Sequence, residues 1–165
     1  LGNPGAEFSM VEFLNFATCD ERCQEIHLSL IKFVNENPQK IRLVWKPAPS
    51  NAIFVDSNKL SQVTGICANE QNKLFEYINN LFNEKKLKEK NLYNALETSN
   101  LSKEKISQCL EENWPYEYIE NSYDFYKKTG FKENPTLIIN NKKINIFEDI
   151  NIEELLYKII YGESE

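Results

Sequence analysis

Hydrophobic and polar positions divide the chain into three blocks of different period. Ser9 to Phe16 (SMVEFLNF) mixes β-branched and aromatic residues in partial alternation, follows Asn3-Pro4-Gly5, and reads as a strand. From Glu21 to about Asn35 the spacing changes: Ile26, Leu30, Ile31, Phe33 and Val34 recur at helical intervals until Asn37-Pro38 stops the run. Ile41 to Trp45 (IRLVW) returns to strand character and ends at Pro47-Ala48-Pro49. Strand, helix, strand in that order predicts a parallel pair joined by a right-handed crossover.

The second block, from about 52 to 128, is helical throughout and carries no strand pattern. Its apolar positions fall in four groups: Leu60, Val63 and Cys67; Leu74, Phe75, Ile78, Leu81 and Phe82; Leu92, Leu96, Ile106 and Leu110; Tyr118, Ile119, Tyr123, Phe125 and Tyr126. Thr129-Gly130 closes the last helix, with glycine just past its end. In the third block, Pro135 to Ile139, an Asn140-Asn141 turn and Lys143 to Phe147 predict a hairpin. Asn151 then starts a final amphipathic helix carrying Leu155, Leu156, Ile159 and Ile160.

The predicted order is therefore βαβ, a helical block, then ββα. That is an α/β chain of the thioredoxin-like arrangement with an inserted all-helical subdomain. At 165 residues there is enough chain for one sizeable core, so the expected organisation is one domain over 1–165 with the insert at about 52–128.

Composition narrows the partners. With 41% hydrophobic and 27% charged residues, and apolar runs well short of a bilayer span, no segment of the sequence crosses a membrane as a helix. A net charge of -6 argues against nucleic acid, which needs a clustered basic surface. Lys85, Lys86, Lys88 and Lys90 are interrupted by Leu87 and Glu89 and read as a solvated surface. The sequence begins at Leu1 without a basic and apolar leader, so a targeting or anchoring segment is expected to lie outside it.

Four cysteines, Cys19, Cys23, Cys67 and Cys109, are too few for a disulfide-dense scaffold and allow three pairings, of which the spacing favours Cys19 with Cys23. A thiol at a helix start lies near the positive end of the dipole and near unpaired N–H groups, both of which favour the thiolate. Cys19 takes that place, and Cys23 follows one turn later, placed to resolve a mixed disulfide. The competing readings are a structural bridge or a degenerate site on a retained scaffold.

The chain resembles the DsbA-like thiol:disulfide oxidoreductases over nearly its whole length. The resemblance rests on Gly2-Asn3-Pro4-Gly5-Ala6 with Met10-Val-Glu-Phe13, on Cys67 to Phe75 running on to Leu81-Phe82, and on Gly130 through Asn134-Pro135-Thr136 to Asn140. It implies exchange of disulfides with unfolded or disulfide-containing proteins, a membrane redox partner, a bacterial periplasmic or otherwise extracytoplasmic location, and no cofactor beyond the redox-active disulfide. It further implies that Pro135 is cis, lies opposite the cysteines, and is preceded by backbone, here Asn134, that pairs with substrate. An ordinary turn proline is the alternative. Some relatives carry a second, non-catalytic bridge within the insert, which would pair Cys67 with Cys109 and imply an oxidising compartment. Buried free thiols are the alternative there.

The family has two residues between its cysteines, whereas Asp20, Glu21 and Arg22 make three here. On ideal helix geometry the Cα separation rises from roughly 5 Å to roughly 6 Å, still inside the disulfide range. Asp20 and Glu21 repel a developing anion and only Arg22 offsets them, so the Cys19 thiol is expected to be less acidic than in strongly oxidising relatives. The longer spacing is also similar to that of the Sco-type copper-handling proteins, over Phe13 to Cys19 and Cys23 to Glu25. In that alternative Cys19, Cys23 and His27, an i, i+4, i+8 series, would hold Cu(I), since copper(I) suits paired thiolates. That family's distant histidine has no counterpart, because His27 is the one histidine of the chain. A third alternative is a redox-inactive scaffold that binds unfolded polypeptide.

Overall fold

The computed structural model describes residues 1–49, 56–84, 89–146 and 150–162. The first residues of the expected insert, the run Lys85, Lys86 and Lys88, and Phe147 at the end of the expected hairpin lie outside them. Residue contacts divide the chain into two compact units, Leu1–Leu14 with Cys19–Lys46 and Lys132–Glu165, and Asn15–Thr18 with Pro47–Phe131.

The first unit is built on a four-stranded sheet. Its strands are β1 (Phe8–Leu14), β2 (Ile41–Pro47), β3 (Thr136–Ile139) and β4 (Lys142–Ile144), in the order β2-β1-β3-β4. The innermost residues of β1 are buried in succession, Glu12, Phe13 and Leu14, as expected for a strand covered on both faces. Strand β3 runs antiparallel to β1 with Thr136 opposite Phe13 and Leu137 opposite Glu12. The β3–β4 turn is Asn140-Asn141, both at positive φ (46° and 67°), which suits a two-residue hairpin and residues that tolerate the left-handed region.

Strand β1 ends two residues earlier than its apolar pattern predicts. The reason is Asn15, whose buried side chain donates to the Ala48 carbonyl (2.7 Å) and accepts from the Thr18 amide (3.3 Å). The chain therefore turns through a short 3-10 segment, Phe16–Thr18, instead of continuing the ladder. Helix α1 (Glu21–Glu36) buries Cys23, Ile26, His27, Leu30, Phe33 and Val34, a stripe at helical spacing. Helix α7 (Ile152–Tyr161) packs against it with Ile152, Leu156 and Ile160 inward, and Tyr157 meets the Phe33 ring edge-on at 5.0 Å.

The second unit holds α2 (Asp56–Asn69), α3 (Leu74–Phe82), α4 (Glu89–Thr98), α5 (Lys103–Glu111) and α6 (Trp114–Thr129), with no strand among its described residues. Helix α2 is the hub, packing on α3, α5 and α6. Ser61 through Ala68 are all buried, on every side of the helix. Two of its buried polar side chains bond as donors: Ser61 Oγ donates to the Asn58 carbonyl (2.7 Å), and Gln62 Nε2 donates to the Tyr123 hydroxyl (2.8 Å). Gly130 ends α6 at φ 70°, where a residue with a Cβ would be strained.

Among the described residues no helix is long and apolar enough to cross a membrane.

Candidate active site

Cys19 and Cys23 are joined by a disulfide, with Cα atoms 5.2 Å apart. Ideal helix geometry for a four-residue step gives roughly 6 Å, and the difference has a local cause. Cys19 is not on the helix. The N-cap is Asp20, in extended conformation, and α1 begins at Glu21, which leaves Cys19 one residue outside and free to fold back over the first turn. The expectation that Cys19 itself heads the helix is corrected accordingly.

Asp20 makes the cap with its side chain: Oδ1 accepts from the Cys23 amide at 2.9 Å. Its own carbonyl accepts from the Gln24 amide (3.0 Å), and Gln24 Nε2 donates to the Cys19 carbonyl (3.3 Å). Arg22 spends its guanidinium on other groups. Its Nη2 donates to the Ile150 carbonyl (2.6 Å) and its Nη1 to Glu25 Oε2 (3.4 Å). The two sulfurs differ in access, since Cys19 is half-buried and Cys23 is 1% exposed.

The Asn134-Pro135 peptide is cis. Thr136 Oγ1 donates to the Glu133 carbonyl (2.7 Å) and so closes this loop directly before β3. Because Thr136 pairs with Phe13 on β1, the proline loop lies at the end of the sheet from which the chain departs toward Cys19. A cavity of about 430 Å³ results, lined by Asp20, Cys23 and Ile26 on one side and by Asn134, Pro135 and Ile146 on the other. Arg22 and Glu133 complete its rim. A hydrogen bond from Lys143 Nζ (2.7 Å) holds the Glu133 carboxyl below the ordinary carboxylate value.

His27 stands one turn beyond Cys23 on the buried face of α1, but the structure directs it to the sheet. Its Nδ1 lies 2.8 and 3.0 Å from the two carboxylate oxygens of Glu12 on β1, and both side chains are fully buried. Glu12 thus takes Nδ1 of His27, and Cys19 stands outside the helical series. Among the described residues no group of three His, Cys, Asp or Glu side chains is placed to hold a metal ion.

Cys67 on α2 and Cys109 on α5 are bridged, with Cα atoms 5.8 Å apart. Glu12, Asn15 and the capping role of Asp20 escape a reading by apolar period. Each had a visible mark, since Glu12 and Asn15 interrupt an apolar strand and Asp20 is a preferred N-cap type directly before a helical run.

The thioredoxin family model matches residues 1–159. None of the curated proteins is significantly similar to the chain in sequence. Among solved structures, a thioredoxin-like oxidoreductase from Silicibacter pomeroyi DSS-3 superposes with a TM-score of 0.79 at 20% identity, covering 96% of this chain and 88% of its own. The thiol-disulfide exchange protein alpha-DsbA2 from Wolbachia pipientis gives 0.79 at 16%, over 97% and 83%. A periplasmic thioredoxin-like protein from Salmonella enterica serovar Typhimurium gives 0.79 at 14%, over 98% and 87%. At such identities these likenesses speak for the shared fold, a thioredoxin-like sheet with a helical insertion. By the match along nearly its whole length, the chain belongs to the thioredoxin family.

Proposed function

We propose that the chain is an extracytoplasmic thiol:disulfide oxidoreductase that exchanges disulfides with protein substrates through Cys19 and Cys23. One observation carries the reading: a bonded cysteine pair of unequal access straddles the start of a helix, and its inner member lines the same cavity as the cis Asn134-Pro135 loop. The chemistry follows from the access. A thiolate of a reduced substrate attacks the Cys19 sulfur, the Cys19–Cys23 bond breaks, and Cys23 leaves as a thiolate that takes up a proton. A second substrate thiolate then attacks the substrate sulfur bound to Cys19, releasing the Cys19 thiolate and leaving a disulfide on the substrate. Two electrons pass to the protein, which is left with a protonated Cys23 and a Cys19 thiolate, and the reverse sequence reduces a substrate. The Asn134 backbone guides the substrate chain beside Pro135. No cofactor is needed beyond the cysteine pair, and a membrane redox partner restores it. The Cys67–Cys109 bridge supports an oxidising compartment, where structural disulfides persist.

The test is exchange with glutathione and with a reduced, unfolded protein. Wild type is expected to exchange, Cys19→Ser to lose exchange, and Cys23→Ser to accumulate a mixed disulfide with substrate on a non-reducing gel. A wild-type pair that does not exchange would leave a redox-inactive binding scaffold, and exchange indifferent to Cys19→Ser would overturn the role given to Cys19.

A further inference from the structure

We propose that Asp20 sets the redox poise of the cysteine pair by occupying the N-cap site that would otherwise solvate the Cys19 thiolate. The inference rests on the exchange reading and adds to it the residue that tunes the pair. The geometry begins with counting. The amide that an N-cap side chain captures is that of N2 or N3, and on α1 the captured amide is Cys23, three residues after Asp20. With two residues between the cysteines, the residue three before the second cysteine would be the first cysteine itself, its sulfur at the cap. The third intervening residue moves Cys19 outward by one and puts a carboxylate in its place.

Two effects then act in the same direction. Asp20 Oδ1, at 2.9 Å, takes the Cys23 N–H, one of the few donors of the first turn able to face a neighbouring anion. Its negative charge also lies on the residue bonded to Cys19, where it opposes a second anion. Arg22, the one cation between the two cysteines, directs its hydrogen bonds to the Ile150 carbonyl and Glu25 and makes none to Asp20. The Cys19–Cys23 disulfide carries no charge, so whatever disfavours the thiolate disfavours the reduced form and makes the pair more reducing. Asp20 is a positioning residue here: it acts through the Cys23 amide and its charge and need not touch substrate.

Charge and capping can be separated by substitution. Asp20→Asn keeps an oxygen acceptor and a favoured cap but removes the charge, whereas Asp20→Gly removes both at little cost to the helix. The measurements are the pH profile of Cys19 alkylation by iodoacetamide in the reduced protein, read on its peptide by mass spectrometry, and the equilibrium with glutathione. Asp20→Asn is expected to lower the Cys19 pKa by about half a unit and Asp20→Gly by about one unit, with the glutathione equilibrium shifted toward the dithiol by up to about tenfold. Equal shifts in the two variants would overturn the amide-capture argument, and no shift or an upward one would overturn the whole proposal. A merely structural cap would lower the melting temperature and leave the alkylation profile in place. If Asp20→Gly does not fold, Asp20→Ala supplies the uncapped arm. A wild-type pair that fails to equilibrate with glutathione would instead defeat the exchange reading, while the alkylation profile would still report on Asp20.

Discussion

Glu12 interrupts an otherwise apolar strand and would be a costly residue there without a partner. His27 supplies one, at 2.8 Å and equally inaccessible to water. The two are the most sequestered ionisable groups of the first unit. Removing either leaves the other's polar atoms buried without their hydrogen bond, the expensive arrangement, while removing both with apolar replacements is far less so. We expect Glu12→Leu and His27→Leu each to lower unfolding free energy by about 3 kcal/mol, and the double variant to lose clearly less than the sum. Urea denaturation of the three variants decides the point, and strict additivity would show the pair to be uncoupled. Helical spacing alone reads His27 correctly as sharing a face with Cys23. It does not say that this face is the buried one packed on β1.

Helix α1 shows how far periodicity carries an element and where side-chain chemistry takes over. Its start at Glu21 and its stop near Asn37 are legible in the sequence because an acidic residue, an apolar stripe and Asn37-Pro38 mark them. The conformation of Cys19 is not, since it depends on Asp20 winning the cap. Helix α2 is harder. Leu60, Val63 and Cys67 suggest one apolar face, yet Ser61, Gln62 and Thr64 are buried as well, through hydrogen bonds that no hydrophobic pattern announces. The Cys67–Cys109 bridge ties this helix to α5 across 42 positions. A loop of that size should stabilise the folded chain by about 4 kcal/mol in the chain-entropy model, and measured values more often fall at 2–4. Cys67→Ala/Cys109→Ala is therefore expected to lose about 2–4 kcal/mol in urea while its Cys19–Cys23 equilibrium with glutathione stays within about twofold of wild type. A large shift in that equilibrium would instead make the second bridge part of the redox device.

Over the whole molecule, the order of blocks was legible because strand, helix and turn marks alternate cleanly at both ends: IRLVW before its prolines, Gly130 past α6, Asn140-Asn141 between β3 and β4. Burial of polar groups was not, and that burial also governs the response to pH. On the alkaline side, Tyr77 and Tyr123 of the helical unit are held neutral chiefly by desolvation, which pushes Tyr123 up to about 12 and Tyr77 higher still. A phenol whose folded pKa is raised leaves stability untouched below its unfolded value, near 10, and withdraws stability as pH climbs from there toward the folded value, because the unfolded chain ionises first. On the acid side the sign reverses. Glu133, lowered by its bond to Lys143, contributes above the ordinary value of 4.5 and loses that contribution as pH falls through its folded value. The melting temperature should accordingly be level between about pH 5 and 10 as far as these groups are concerned, with Glu133→Gln flattening the acid slope and Tyr123→Phe the alkaline one. Absorbance at 295 nm gives an independent check: Tyr77 and Tyr123 should ionise late and together with unfolding. If all eight titrate near pH 10 while the fold persists, the phenols of Tyr77 and Tyr123 are wet, and the closed polar interior of the helical unit is refuted with them.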